Sequence, residues 1–276
     1  MPDADRNARS GQLPLAGRTV LGIFAHPDDE SLACGGTLAR LADAGARVVV
    51  MCASRGEAGS ICDPSLVPDG DSLGGVRARE LRDAAAILGV AEVILLDHPD
   101  GDLRWDHVQE LHGEIVLMLQ RYQPDAVITF AEDGLYWHLD HIGIHERTYT
   151  AVLSLGAAAP PLYYVTMPEG IMLRVVEAAH AKRGAPPDSS LWGIAADAFG
   201  HCATPPTFVI DVRHWVPRKL AALRCHRTQI GPGNPIAWIS DDEARQLLGM
   251  EQFRRSPLDT TGDLILEHLN EIQHVD

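Results

Sequence analysis

Between Arg18 and about Leu155 short apolar runs alternate with stretches of helical period, and that alternation restricts the fold more than any other feature. The runs are Arg18 to Ala25, "ARVVVMCAS", "EVILLD" (Glu92 to Asp97) and "DAVITF". Each is continuous rather than alternating in polarity, as expected of strands buried on both faces. Between them, "SLACGGTLARLADAG" puts Leu32, Leu38 and Leu41 near one helical face and stops at Gly45, and "GVRARELRDAAAILG" stops at Gly89. A third helix, "HVQELHGEIVLMLQRY", is expected to take Asp106 as its N-cap and to end at Pro124. A fourth, "HLDHIGIHERTYTAVLSL", follows the loop "AEDGLYW". Short strand–helix connections predict a doubly wound α/β fold, a Rossmann-like, open and mostly parallel sheet with helices on both faces.

Beyond Leu155 the pattern loosens. "PLYYVTM" and "TFVIDV" are strand candidates and "VPRKLAALRCHRTQ" is a helix, but the Ala/Pro/Gly-rich stretch from about Gly156 to Pro206 yields no clear element. With no repeat and no linker, the expected organisation is a flexible leader over 1–17 and one α/β domain over 18–276. Its core would span 18–155, with substrate-shaping and closing elements over 156–276.

A chain of 276 residues, 46% of them apolar, has the material for a sizeable core. Its formal charge of −15 argues against nucleic acid or an anionic membrane as partner, since both reward Lys and Arg. The five cysteines are odd in number and form no Cys-x-x-Cys pair, so neither a disulfide framework nor a thiolate zinc site is expected. No apolar stretch reaches the ~20 residues of a membrane helix. The first residues, "MPDADRNARSGQLPLAG", have no apolar signal core, and a cytoplasmic protein is expected.

Ligands of open α/β sheets bind outside the carboxyl ends of the strands. "HPDDE" begins at the end of the first strand, "EDGLYWHLDH" lies just beyond the fourth, and "SRGEAG" and "HPDGDL" leave the same edge. His26 and Asp29 lie three apart across a turn, and His138 and His141 share a helical face. A catalytic zinc site takes three N or O ligands and keeps one position open, so histidines and a carboxylate from two strand ends could close one. Asp28 could then serve as base for its water. Acids before an apolar helix are equally ordinary caps, and His-rich helix starts occur on plain surfaces; spacing alone leaves both readings open.

At these residues the sequence resembles the LmbE/PIG-L family of zinc-dependent N-deacetylases. The resemblance rests on "AHPDDE" (Ala25 to Glu30) and "HLDH" (His138 to His141), with support from "SRGEAG", "VRARELRDAAAILGV", "HPDGDL" and "KLAALRCHRTQ". It implies one Zn2+ per chain, with Fe2+ or another divalent ion as substitute, held by His26, Asp29 and His141. It further implies Asp28 as general base, and His138 and Tyr136 as supports for the tetrahedral oxyanion. Glu57, Arg77 and Asp100 match positions that hold sugar hydroxyls. Trp137 and His98 are candidates for the pocket wall, and His145, His226, Gln229 and Glu30 for supporting positions.

The function these roles imply is removal of acetyl from the amine of an N-acetylglucosamine-like sugar, a small-molecule substrate. A zinc amidase acting on a non-sugar amide, such as a mercapturic-type cysteine conjugate, is the alternative within enzymes. A non-catalytic sugar- or nucleotide-binding module is the alternative outside them. Acids in place of Gly-x-Gly-x-x-Gly after the first strand would repel a pyrophosphate and disfavour dinucleotides. The oligomeric state is left open.

Overall fold

The computed structural model describes residues 13–182, 184, 190–260 and 262–272. In chain order the helices and strands are β1 (Thr19–Phe24), α1 (Asp29–Asp43), β2 (Arg47–Cys52), α2 (Leu73–Leu88), β3 (Glu92–Leu95), α3 (Val108–Tyr122), β4 (Ala126–Phe130), α4 (Gly134–Trp137), α5 (Leu139–Ser154), β5 (Leu162–Thr166), α6 (Ile171–His180), β6 (Ser190–Leu191), β7 (Ile194–Ala195), β8 (Phe208–Asp211), α7 (Val216–Cys225), α8 (Asp241–Leu248) and β9 (Met250–Arg255). The main sheet has seven strands in the order β3-β2-β1-β4-β5-β9-β8. The first five are parallel, and β9 and β8 close one side antiparallel.

The buried runs form this sheet because parallel strands need cover on both faces. Every residue of β4 and β5 is buried, as are five of the six in both β1 and β2. Right-handed crossovers lead leftward from β1 through α1 and α2, and rightward from β3 through α3 to β4 and through α5 to β5. One layer is therefore α1 and α2 with the returning α7, and the other is α3 with α5. The strand order reverses between β1 and β4, which opens a crevice at their carboxyl ends.

Several local expectations change. Asp106 does not cap α3: its Oδ1 accepts the N–H of His107, and His107 itself takes the N-cap place with φ 48°. The expected loop before α5 contains the single turn α4, in which Leu135 and Tyr136 depart from helical angles. Of the expected leader, residues 1–12 lie outside the described residues. Leu13 to Gly17 form a turn in which Leu15 is buried and donates its N–H to the Ala44 carbonyl at 2.8 Å.

Helix α1 is broken at Cys34 (φ −148°, ψ 26°). The break frees the N–H groups of Gly36 and Thr37, which donate to the Glu251 carboxylate of β9 at 3.0 and 2.8 Å. The Lys219 ammonium of α7 completes that buried anion's shell at 2.6 Å. Gly36 is needed here, since a Cβ would stand 2.6 Å from Val212. Among the described residues no helix is long and apolar enough to cross a membrane, and all five cysteines are free.

Candidate active site

The turn after β1 and the start of α5 after β4 meet in the crevice where the strand order reverses. Nδ1 of His26 stands 3.4 Å from Oδ2 of Asp29 and 3.3 Å from Nε2 of His141. Nε2 of His141 is 3.1 Å from Oδ1 of Asp29. Ligands held ~2.1 Å from a tetrahedral cation stand roughly 3.4 Å apart, so the spacing suits a small divalent ion.

The hydrogen-bond partners fix which atoms face that point. Nδ1 of His141 lies 3.0 Å from the Gly134 carbonyl and must donate to it, which leaves a lone pair on Nε2. Gly134 has φ +55°, and a Cβ there would come within 2.9 Å of the His141 Cβ. Nε2 of His26 faces two carboxylates, Asp140 at 3.0 Å and Asp100 at 3.1 Å, and so carries the proton. Lone pairs of His26 Nδ1, His141 Nε2 and Asp29 thus converge, an arrangement that repels itself unless a proton or a cation sits among them. The donor set fits a divalent metal ion.

Two further cation-sized clusters share His26, one with His138 and His141, the other with Asp100 and Asp140. In the second, the carboxylates already accept backbone N–H groups. Asp140 takes Gly101 at 2.7 Å and Leu103 at 3.0 Å, and Asp100 takes Ala58 at 2.9 Å. That cluster orients His26 from behind in the manner of carboxylate–histidine–metal arrangements. In the first, His138 Nδ1 accepts the Asp140 N–H at 3.2 Å as the cap of α5, so the ring's remaining proton is on Nε2.

Electrostatics follow from burial and these partners. Burial raises Asp28 to about 6, with Asp29 adding to the rise and Arg77 opposing it. Burial, then His141 and His26, lower His138 to about 4, so its imidazole is neutral at pH 7. Burial would raise Asp29, but His141 and His26 hold it well below the usual carboxylate range. Burial would lower His26, but Asp100, Asp140 and Asp29 hold it well above its ordinary value in the metal-free protein. Burial keeps the Tyr136 phenol protonated.

A cavity of about 160 Å³ opens beside this cluster, with Asp28, Asp100, Tyr136, His138 and Arg77 in its wall. Arg77 is largely committed to backbone, donating to Pro27 O at 2.6 Å and Gly56 O at 2.8 Å, and lies 3.4 Å from Asp28 Oδ2. Three expected pocket residues are elsewhere. His98 turns away, its Nε2 2.5 Å from the Glu114 carboxylate of α3. Glu57 is exposed and accepts the Asp100 N–H at 3.0 Å, tying two loops together. Trp137, at φ 64°, is 55% exposed to solvent. The tryptophan in the wall is Trp192, from the β6–β7 hairpin, with Ile194 beside it.

Of the supporting candidates, His145 donates Nδ1–H to the Phe130 carbonyl at 2.9 Å. Gln229 reaches the cavity and donates to Ser60 O at 3.0 Å. Sequence reasoning passed over Asp140, Trp192 and Ile194. Asp140 could have been noticed as the one acid between two candidate site histidines.

Comparison with known proteins agrees with the motif reading. Residues 21–152 match the family model described as PIG-L: GlcNAc-PI de-N-acetylase. A relative from Thermobispora bispora, named 1D-myo-inositol 2-acetamido-2-deoxy-alpha-D-glucopyranoside deacetylase, is 33% identical over 270 residues, covering 87% of this chain and 88% of its own length. Among solved structures, the N,N'-diacetylchitobiose deacetylase from Pyrococcus horikoshii superposes with TM-score 0.60 at 21% identity, covering 87% of this chain and 84% of that one. The 4-carboxy-2-hydroxymuconate hydratase from Pseudomonas putida superposes with TM-score 0.62 at 20% identity, covering 90% and 99%. The shared fold by itself therefore does not choose the reaction. Identity over nearly the whole length does, and this chain belongs to the PIG-L family, as an enzyme that hydrolyses N-acetyl amides.

Proposed function

We propose that this enzyme removes the acetyl group from the amine of an N-acetylglucosamine-like sugar, with Zn2+ as its native ion in the cytoplasm. The observation that carries the reading is the convergence of three lone-pair donors, His26 Nδ1, Asp29 and His141 Nε2, beside the half-buried carboxyl of Asp28 in the cavity wall. The named substrates of the relatives, an acetamido-sugar glycoside and a diacetylated disaccharide, favour a sugar over the cysteine conjugate or a binding-only role. Three N or O ligands suit zinc, although Fe2+ accepts the same set. Five unpaired thiols fit a reducing compartment.

His26, Asp29 and His141 would hold the ion, which supplies Lewis acidity by polarising the amide carbonyl and acidifying water. Asp28, in the cavity wall beside these ligands, takes the proton of the attacking water as general base. Neutral His138 carries its proton on Nε2, since Nδ1 accepts the Asp140 N–H, and it offers that proton to the developing oxyanion. The Tyr136 phenol is the second donor. Asp28 then returns the proton to the departing amine, and acetate and the free amino sugar remain.

The test uses full-length protein stripped by a chelator and reloaded separately with Zn2+, Fe2+ or Co2+. Acetate release is measured on the inositol glycoside, N,N'-diacetylchitobiose, free N-acetylglucosamine and an N-acetylcysteine conjugate. Release from acetamido sugars, lost on stripping and restored best by zinc, is expected. Release only from the cysteine conjugate, or from nothing, overturns the sugar reading. Restoration by Fe2+ alone overturns the zinc assignment.

A further inference from the structure

Asp28 stands at φ 117°, ψ −23°, a left-handed conformation that a residue with a Cβ rarely adopts and that persists only where its surroundings over-determine it. Its carbonyl accepts the N–H groups of Ser31 and Leu32 at 3.1 and 3.0 Å, which starts α1. Its own N–H donates to Oε2 of Glu30 at 3.1 Å. A free glutamate side chain has several rotamers, so this contact holds the turn only if Glu30 is itself held.

Glu30 is held. It is 1% exposed, and its Oε1 accepts the Ser31 hydroxyl at 2.5 Å and faces Nε2 of His226 at 3.1 Å. His226 follows the last residue of α7, is fully buried, and has no partner on Nδ1. The ring is placed by its own backbone, since the His226 carbonyl accepts the N–H groups of Gln229 and Ile230 at 2.9 and 2.8 Å. A side chain from the far end of the sequence thus fixes one oxygen of Glu30, and the other oxygen fixes the amide of Asp28.

We infer that His226, acting through Glu30, is a positioning residue that holds Asp28 in its left-handed conformation and so aims its carboxyl into the cavity. The inference rests on Asp28 being the base of the proposed reaction. It assigns a part in catalysis to the end of α7, although His226 itself neither lines the cavity nor is one of the three candidate metal ligands. Arg77, bound to the Pro27 carbonyl, steadies the turn from the opposite side, so loss of His226 should impair the site without erasing it.

The test compares the wild type with His226→Leu, which removes the donor, and His226→Gln, whose amide can replace Nε2–H. Misplacing a catalytic group by about an ångström costs up to ~100-fold, so His226→Leu is expected to lower kcat roughly tenfold to a hundredfold. KM and metal stoichiometry should stay near the wild type's, and His226→Gln should recover most of the rate. If His226→Leu fails to fold, His226→Asn, polar but too short to reach Glu30, replaces it with the same expectation. Unchanged kcat, or a loss in which metal and KM change together and Gln gives no rescue, overturns the inference. Crystal structures of the wild type and the variant decide independently of activity: Asp28 should leave the left-handed region or lose the Glu30 contact, and an unmoved turn overturns the inference. A wild type that releases no acetate overturns the proposed function instead.

Discussion

The imidazole of His141 lies flat on the phenyl ring of Phe130, with centroids 4.0 Å apart and planes 3° from parallel. Phe130 is the last residue of β4 and meets Phe24, the last of β1, edge to face at 5.5 Å. The two strands that flank the crevice therefore help set the ring plane of a candidate ligand by packing, alongside its hydrogen bond to the Gly134 carbonyl. Replacing Phe130 by Leu keeps the site apolar but frees the imidazole to tilt about its bond to the Gly134 carbonyl. Metal affinity should fall roughly tenfold, the low end for losing a partner that orients a ligand. Competition against a chromophoric chelator measures it, and an unchanged Kd would mean that the Gly134 carbonyl suffices.

Asp28→Asn keeps the shape of the proposed base and removes its proton affinity. Acetate release should drop ~100- to 10,000-fold, the range for losing a general base, while metal stoichiometry stays the same. Elemental analysis alongside steady-state rates checks both halves. A fully active Asn variant with its ion in place would show that another group takes the proton.

Lys219 and Glu251 are 4% and 3% exposed and form a buried ion pair joining α7 to β9. Lys219→Met leaves the Glu251 charge with only the two N–H donors of Gly36 and Thr37. Removing one partner of a buried pair costs about 3–5 kcal/mol, so the urea midpoint should move sharply down. The double variant Lys219→Met/Glu251→Gln should recover part of the loss, because its remaining group is neutral.

Burial alone would lower the pKa of His226, but the facing Glu30 carboxylate holds it above the ordinary 6.5, with Asp28 helping and Arg77 opposing. Above about 6.5 the folded protein keeps a proton there that the unfolded chain has released. The stabilisation is complete below that pH and disappears as pH rises through the higher folded pKa. Denaturation of wild type and His226→Gln, followed from about pH 6 upward, should show the wild type losing stability faster. Parallel curves would mean that His226 is already neutral in the fold.

The parallel part of the fold was legible because strands buried on both faces must be apolar nearly throughout, as "VVVMC" of β2 and all but Thr129 of "AVITF" are, and because Gly89 ends α2 in the left-handed conformation a glycine favours (φ 78°). The cluster of His26, Asp29 and His141 was legible because His26 and Asp29 follow directly on the end of β1 and His141 lies in the first turn of the helix that follows β4. Strand β9, "MEQFRR", was not: three of its six residues are charged, and Glu251 points inward only because α1 breaks at Cys34 and Lys219 arrives from α7. The β6–β7 hairpin has two residues per strand, too few to show a period, so Trp192 could not be told from any other aromatic. His98 and Trp137 misled for the opposite reason. Both adjoin site loops in sequence, but a side chain's direction is set by local φ and by neighbours such as Glu114.

Because β9 enters between β5 and β8, the sheet cannot close in the order in which the chain is synthesised. Once His141 has been made, every candidate ligand of the ion is present in the chain, yet β5 is still to come and Glu30 still lacks its imidazole. The edge of β5 then stays open until Met250–Arg255 has been made, after β8, α7 and α8. Both the inner edge of the sheet and the Glu30 carboxylate thus wait for partners that are made only after residue 225.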